Sequence, residues 1–390
     1  MSEDKNLFDC VVVHYDEIGL KGNNRKMFED LLVTNMKKKL GSLATSFRKE
    51  HGLIVVYPSK ASGRQDIAEA LSKVPGIAYF SFAIRSSRDM DCVSKCVIDY
   101  LASKEFETFR IYARRHDKDF PMNSLEINKK LGADVVEVYH KKAKMVGADM
   151  IVKVEVSSRS VYISSENIRS VGGLPTNSKQ KVVSLLSGGF DSPVASYMMM
   201  KRGCEVILVH FQNENQMACS VEDKIVRIAK QLSKFQVVTK LYIVPFEELQ
   251  KRIIMYAQAD IRMLVYRRFM LKISLRIARD NQAKFLVVGD SLSQVASQTF
   301  DNLYTTYQNC EMPVFSPLIG MNKTEIIDIS RDIGTYDISK LPYGDCCSYF
   351  LPKHPRLKSY PKQLDGIESR FEDIDALVDD AVKRARVTVY

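Results

Sequence analysis

One stretch constrains this chain more than any other: Leu185-Leu186-Ser187-Gly188-Gly189-Phe190-Asp191-Ser192-Pro193. The apolar run Val182–Leu186 reads as a buried strand, and Pro193–Arg202, closed by Gly203, reads as a helix. A second apolar strand, Glu205–Phe211, follows at the distance a βαβ unit requires. Two glycines between strand and helix let the backbone approach an anion and turn its N–H groups inward. Ser192 is a good N-cap and Pro193 suits a first helical turn, so the helix N-terminus is expected to face the same anion. Asp191 is a carboxylate in an anion cradle, which makes sense if Mg²⁺ bridges it to phosphates or if it holds a reacting group. The Gly-Lys-Ser/Thr ending of a Walker loop is missing. Gly-Gly alone would read as an ordinary bend. The strand before it, Asp-Ser-Pro after it and the second strand turn it into a nucleotide-phosphate loop.

The rest of the chain is organised around that unit. Apolar runs bounded by turns and helices continue at Leu241–Pro245 and Phe285–Val288, separated by a long helical region, Glu247–Arg279. That alternation implies a parallel sheet covered on both faces, an α/β doubly wound domain over residues 182–390. The last 25 residues read as a polar, acidic, helical tail. Upstream, residues 169–181 are turn-rich and read as a linker. Residues 61–168 alternate short strands (Ile77–Ile84, Phe109–Ala113, Ile151–Val156, Val161–Ile163) with helices (Gln65–Val74, Cys92–Ser103, Ser124–His140), a small α/β domain. Residues 1–60 carry two apolar strands around a helix with Met27, Leu31, Leu32 and Met36 at helical spacing.

With 390 residues, 45% of them apolar, the chain has enough apolar residues for several cores, which excludes disorder and low-complexity classes. No apolar run approaches the roughly 20 residues of a membrane span, and the start is polar and acidic, so no membrane association and a cytoplasmic location are expected. Lysines and arginines number 57 against 47 acidic residues, a surplus that favours polyanionic partners, nucleic acid above all. The excess is even, 28 against 23 up to residue 175 and 29 against 24 after it, so any RNA surface has to be assembled by folding. Eight cysteines, at 10, 92, 96, 204, 219, 310, 346 and 347, read as thiols, most of them buried, with packing the expectation for Cys92 and Cys96 as well. No paired C-x-x-C motif is present, so no structural metal site is expected.

Ser187–Ser192 resembles the SGGxDS signature of the PP-loop ATP pyrophosphatases, which adenylate a carbonyl oxygen with ATP and release pyrophosphate. Further segments resemble the tRNA 4-thiouridine synthetases (tRNA uracil 4-sulfurtransferases). These are Glu17-Ile18-Gly19-Leu20-Lys21-Gly22-Asn23-Asn24-Arg25, Asp117-Lys118-Asp119-Phe120-Pro121, Glu126-Ile127-Asn128 and Gly172-Gly173-Leu174-Pro175. Gly289–Thr299 fits a family motif with one departure, Ser293 where glycine is usual. Pro317–Ile327 and Pro342-Tyr343-Gly344-Asp345-Cys346-Cys347 complete the set. The resemblance implies a small α+β ferredoxin-like domain over 1–60, a THUMP RNA-binding domain over 61–168, and a PP-loop domain resembling the adenine nucleotide alpha hydrolases over 182–390. It implies ATP contacts at Leu185, Leu186, Ser187, Gly188, Gly189, Asp191, Ser192, His210, Phe211, Arg267, Gly289 and Gln298, with ATP and Mg²⁺ as cofactors. Lys323 matches a lysine tied to activity in the family, where its implied role is to neutralise charge during adenylation. RNA contacts are expected at Lys21, Asn24, Arg25 and Lys118, cations and amides suited to phosphate. Taken singly, each of these residues also has a plain reading as a solvated or packed side chain.

Replacing a uracil oxygen by sulfur takes two steps, since oxygen is a poor leaving group. O4 first attacks the ATP α-phosphate and expels pyrophosphate; a persulfide sulfur then attacks C4 and AMP departs. Loop amides, Mg²⁺ and a cation would stabilise the charge of the first step, and the second needs a sulfur-carrying cysteine. The resemblance places that cysteine at Cys346, with Cys347 as rival. Asp345 before it would raise the thiol pKa, so activation has to come from elsewhere. Cys347 is a poor resolving partner because adjacent residues make a strained bridge. Many bacterial relatives use a cysteine of a carboxy-terminal rhodanese domain, which this chain is expected to lack. Where archaeal relatives carry a C-x-x-C for an iron–sulfur cluster, this chain reads Met263-Leu264-Val265-Tyr266-Arg267-Arg268. Cys204 and Cys310 are candidates for a resolving thiol by elimination. The expected product is 4-thiouridine at tRNA position 8, with a cysteine desulfurase or another persulfide donor as partner. Sulfur transfer in thiamine thiazole synthesis and a homodimer are left open. An RNA-binding protein with an inactive catalytic half, and a small-molecule synthetase of the same superfamily, are the alternatives.

Overall fold

A computed structural model describes residues 8–213, 219–342 and 355–390. The chain divides into two compact units after Pro175.

In the first unit the elements run β1 (Cys10–Tyr15), α1 (Arg25–Leu40), β2 (Ala44–Glu50), β3 (Leu53–Pro58), α2 (Arg64–Leu71), β4 (Ile77–Ser86), α3 (Met90–Leu101), β5 (Thr108–Arg115), α4 (Ser124–Tyr139), β6 (Lys142–Ala143), β7 (Met150–Val156), β8 (Val161–Ser164) and β9 (Ile168–Arg169). The strands are ordered β2-β3-β1-β4-β8-β7-β5-β6, with β9 alongside β4. β1 is an unbroken apolar run because both its faces are covered. Val11 and Val13 pack with α1 and α2, while Cys10 and Val12 meet Leu53, Val55 and Tyr162. β4 holds the unit together, since its first part pairs with β1 and its last three residues pair with β8. On β5 and β7, Phe109, Ile111, Val152 and Val154 alternate inward against α3 and α4. β2 carries no strand signal in the sequence because it lies at the sheet edge and most of its residues keep contact with solvent.

The second unit runs β10 (Asn177–Leu185), α5 (Asp191–Lys201), β11 (Cys204–Gln212), α6 (Cys219–Ser233), β12 (Lys240–Pro245), α7 (Glu247–Tyr256), α8 (Arg262–Asp280), β13 (Phe285–Val287), α9 (Phe300–Tyr307), β14 (Val314–Phe315), α10 (Lys323–Asp332), α11 (Tyr336–Ser339), α12 (Pro361–Glu368), α13 (Ile374–Lys383) and β15 (Arg386–Val389). Its sheet is ordered β14-β13-β10-β11-β12-β15, parallel except for β15. The chain thus crosses from β10 outward to β12, then back past β10 to β13, which opens a crevice at the carboxyl edge beside β10.

The helical region expected over Glu247–Arg279 is made of two helices, α7 and α8, broken where Arg262 Nε donates to the carbonyl of Ala257 at 3.0 Å. Three expectations change. The tail is not wholly helical: β15 pairs antiparallel with β12, and its four exposed residues give no burial pattern to read. β10 starts at Asn177, five residues before the expected strand and inside the expected linker, through an exposed, irregular first half. Of the five described free cysteines only Cys10 is buried and Cys92 is exposed; Cys96, Cys204 and Cys310 are half-buried, Cys96 and Cys310 packed against hydrophobic cores, so the packing expectation holds for Cys96 and fails for Cys92. Among the described residues no helix is long and apolar enough to cross a membrane.

Candidate functional site

The loop between β10 and α5 is pinned by two serines. The Ser192 hydroxyl accepts from Ser187 N at 2.8 Å and lies 3.0 Å from the Ser187 hydroxyl, so the turn is drawn shut across its own mouth. Ser192 is therefore not the N-cap: α5 starts at Asp191, and the hydroxyl is spent on the loop. Neither Gly188 nor Gly189 adopts a left-handed backbone, and a Cβ on Gly189 would meet the Ser187 hydroxyl at an ordinary 3.6 Å, so the loop's own geometry does not demand glycine at 189. The first N–H groups of α5 lack helical acceptors and carry its positive dipole end, an anion site built from backbone. Gly289 touches this loop from the end of β13, and a Cβ there would stand 2.7 Å from Ser192 N. No other residue fits.

Around the loop lies a cavity of about 250 Å³. Leu185, Leu186, Ser187, Asp191, Ser192, His210, Phe211, Arg267, Gly289 and Gln298 all line it; Gly188 and Gly189 do not. Its walls also include Met270, Val288, Asp290 and Ser297, which the sequence reading left out. Met270 had a signal in its i+3 spacing from Arg267 on α8. Asp290 follows Gly289 directly. His210 Nδ1 lies 2.9 Å from the carbonyl of Leu186; since a carbonyl only accepts, Nδ1 holds the proton and the ring ties β11 to β10.

Two carboxylates are saturated in parallel fashion. Asp191 Oδ1 meets Lys323 Nζ at 2.6 Å, and its Oδ2 accepts from Gln294 Nε2 at 2.9 Å. Lys323 opens α10, whose N-terminus is fixed by Asn322 and Glu325 capping each other's backbone, and its ammonium stands 5.5 Å over the Phe190 ring. Asp290 receives Arg267, the Tyr307 hydroxyl and Gln298 Nε2, the last at 3.0 Å. Arg267 also donates to the Ser297 carbonyl at 3.1 Å. Gln294 and Gln298 come from one loop, in which Ser293 has φ 61°. That explains why glycine is usual there: this backbone is left-handed.

Asp191 also meets what a magnesium–nucleotide complex asks of a protein. Mg²⁺ keeps waters and phosphate oxygens and needs only one or two carboxylates. Among the described residues no group of three or more His, Cys, Asp or Glu side chains is placed to hold a metal by itself. Cys346 and Cys347 lie outside the described residues. Neither alternative thiol lines the cavity. Cys204 starts β11, roughly 20 Å of strand from His210 at ~3.3 Å per residue. Cys310 lines a separate cavity of about 40 Å³ beside Arg268, and burial raises both thiol pKa values.

In the first unit, Asn24 and Lys118 are exposed, while Lys21 is half-buried over the Phe28 ring and Arg25 is bound to Glu29 at 2.9 Å. A surface the sequence did not disclose lies on the outward side of β5 and β7. Arg110, Tyr112 and Arg114 alternate outward on β5, opposite Ile151, Lys153 and Glu155. The Arg110 guanidinium stands 5.5 Å over the Tyr112 ring, and Tyr112 is 46% exposed. Glu155 is buried between His14 (3.0 Å) and His116 (3.1 Å), so the outward side chains of Arg110, Tyr112, Arg114, Ile151 and Lys153 present positive charge and no negative charge. Cations interleaved with an aromatic ring suit a nucleic-acid strand.

Comparison with known proteins agrees with this layout. Residues 177–372 match the family described as thiamine biosynthesis protein (ThiI), residues 10–81 its ferredoxin-like domain and residues 87–166 the THUMP domain. A "probable tRNA sulfurtransferase" of Caldanaerobacter subterraneus subsp. tengcongensis is 40% identical over 93% of this chain and 96% of its own. One of the same name from Thermus thermophilus is 36% identical over 96% and 92%. A solved 4-thiouridine synthetase–RNA complex with bound ATP superposes with TM-score 0.87 at 32% identity, covering 98% of this chain and 99% of that one.

Proposed function

The chain belongs to the thiamine biosynthesis protein (ThiI) family, and from that premise we propose that it is an ATP-dependent tRNA uracil 4-sulfurtransferase making 4-thiouridine, at position 8. The observation that carries the proposal is the serine-pinned loop at a cavity whose wall holds Asp191, Arg267 and Gln298, with Lys323 reaching Asp191 from outside that wall. Loop amides and the α5 N-terminus bind the phosphates of ATP, and among the described residues Lys323 is the cation beside the loop with room to leave its partner, being 42% exposed at the side chain. As uridine O4 attacks the α-phosphate, charge accumulates there, and Lys323 shifts from Asp191 onto it. Asp191, freed on one side, is the residue that would hold Mg²⁺. That ion, when bound, neutralises phosphate charge. AMP then leaves as the outer sulfur of the persulfide attacks C4; a second thiol attacks the inner sulfur and breaks the S–S bond, which releases 4-thiouridine and leaves a disulfide for an external thiol to reduce.

Cys346 is the proposed sulfur carrier and Cys347 its rival, on the family's motif; a cysteine desulfurase or another persulfide donor supplies the sulfur. tRNA is held by the first unit, through Asn24, Lys118 and the outward half-face of β5 and β7. The family's description also supports a role in making the thiazole of thiamine, which thiamine dependence of a strain lacking the protein would test.

Mass spectrometry of tRNA nucleosides tests the main reading. A strain lacking the protein should lose 4-thiouridine and regain it with the parent chain. Cys346→Ser should not restore it, whereas Cys347→Ser should restore it at least in part. Persistence of 4-thiouridine in the deletion strain would overturn the proposal.

A further inference from the structure

The cavity wall holds one carboxylate for which the reaction above has no direct use. Asp290 is 5% exposed and follows Gly289 at the edge of the space a triphosphate would enter. A bare negative charge there would repel phosphate, yet it is filled from three elements. Oδ2 accepts from Arg267 of α8 and from the Tyr307 hydroxyl of α9, and Oδ1 accepts from Gln298 Nε2 at 3.0 Å. The same arginine is steadied by the Tyr307 oxygen at 2.9 Å and the Ser297 carbonyl. A carboxylate can only accept, so Gln298 has to turn its NH₂ toward Asp290 and its carbonyl oxygen away. That Oε1 is buried and has no hydrogen-bond partner among the described residues.

We propose that Asp290 is the positioning residue of the nucleotide site. It fixes Arg267 and Gln298 in one arrangement, in which Gln298 presents an acceptor alone, so this wall selects a nucleotide that brings a hydrogen-bond donor. A ribose hydroxyl and the adenine amino group share that chemistry. The inference rests on the ATP reading above and adds the polarity of one contact and the group that sets it. A nucleotide lacking the donor leaves Oε1 unpaired and binds about three- to tenfold more weakly, the worth of one neutral hydrogen bond.

The test is titration calorimetry of the full chain with ATP, 2′-deoxy-ATP, 3′-deoxy-ATP and the triphosphate of purine riboside, which lacks the 6-amino group. One of the three analogues should bind about three- to tenfold more weakly than ATP to the parent protein. That deficit should vanish in Gln298→Met and shrink in Asp290→Asn, whose amide can donate as well as accept. The analogue concerned tells hydroxyl from amino group. Should Asp290→Asn fail to fold, Asp290→Ser takes its place with the same expectation. Deficits equal in the parent and in Gln298→Met for all three analogues would overturn the contact, and a deficit intact in the Asp290 variants would overturn the role of Asp290. ATP failing to bind the parent would instead remove the nucleotide reading on which both depend.

Discussion

The nucleotide cavity and the outward half-face of β5 and β7 both present cations to an anion, by opposite means. At the cavity the two lining carboxylates, Asp290 and Asp191, are paired with Arg267 and with Lys323, and each is also held by a glutamine of the same loop. On the half-face no carboxylate among the described residues lies within ion-pair distance of Arg110, Arg114 or Lys153, and the acidic side chain in register, Glu155, is buried under two histidines. The cavity is pre-organised: its charges are neutralised internally, and a ligand has to exchange partners at fixed positions. The half-face is open and solvated, so it gains affinity by releasing counterions and tolerates small displacements. Chemistry needs the first arrangement; holding a long polyanion needs only the second.

The comparison breaks most sharply at Lys323. Lys323→Met should slow tRNA-dependent pyrophosphate release by about 10²–10³, the usual loss for one charge-stabilising group, while tRNA affinity stays within about twofold. A comparable loss of tRNA affinity would mean that the two regions do not divide the work as described.

Glu155 bounds the half-face, and its effect should be on stability. Burial pushes its carboxyl pKa up, but the hydrogen-bonded rings of His116 and His14 outweigh that and hold it down to about 2. A depressed carboxyl stabilises the fold above its unfolded value, 4.5, and that contribution fades as pH falls toward 2. Glu155→Gln should therefore destabilise the protein at pH 7 by about 3 kcal/mol, the scale for breaking a buried charged pair. Denaturant midpoints of parent and variant, followed by circular dichroism, should converge between pH 4.5 and 2. Equal midpoints at pH 7 would contradict the sign.

A smaller effect separates the two modes of binding. The double substitution Arg110→Ala, Arg114→Ala should weaken tRNA about tenfold and lower the slope of log affinity against log salt by about 1.5 to 2, with ATP affinity unchanged. Tyr112→Ala should weaken tRNA without altering the slope, because stacking releases no counterions. Smallest of all, Ser293→Gly should change stability by no more than about 1 kcal/mol, relief of the left-handed serine being offset by the greater freedom of unfolded glycine. Its thermal midpoint, with ATP affinity measured alongside, checks this.

How much could be read beforehand follows the same division. The cavity was legible because contiguous residues build it: the loop, the end of β11 and the segment after β13 each carry their function in a short run. Ser192 misled because its residue type suits an N-cap equally well, and only the 2.8 Å bond from Ser187 N shows where the hydroxyl goes. Asp290 stood in plain view inside a motif, but its importance depends on Arg267 and Tyr307, 23 and 17 residues away in sequence. The half-face could not be read at all. Arg110, Tyr112 and Arg114 alternate as on any amphipathic strand, and their meaning depends on the register with β7 and on which face of the sheet the helices cover. β15 was missed for a related reason, since it is defined by the strand it borders and not by its own composition.

The most direct test of the central claim is pyrophosphate release from ATP by the purified full chain, with unmodified tRNA present and no sulfur donor. The account predicts release that depends on tRNA, stops at about one equivalent per tRNA, and is abolished by Gly289→Ala, whose added Cβ would displace the loop. Release that proceeds equally without tRNA, or that survives Gly289→Ala, would contradict it.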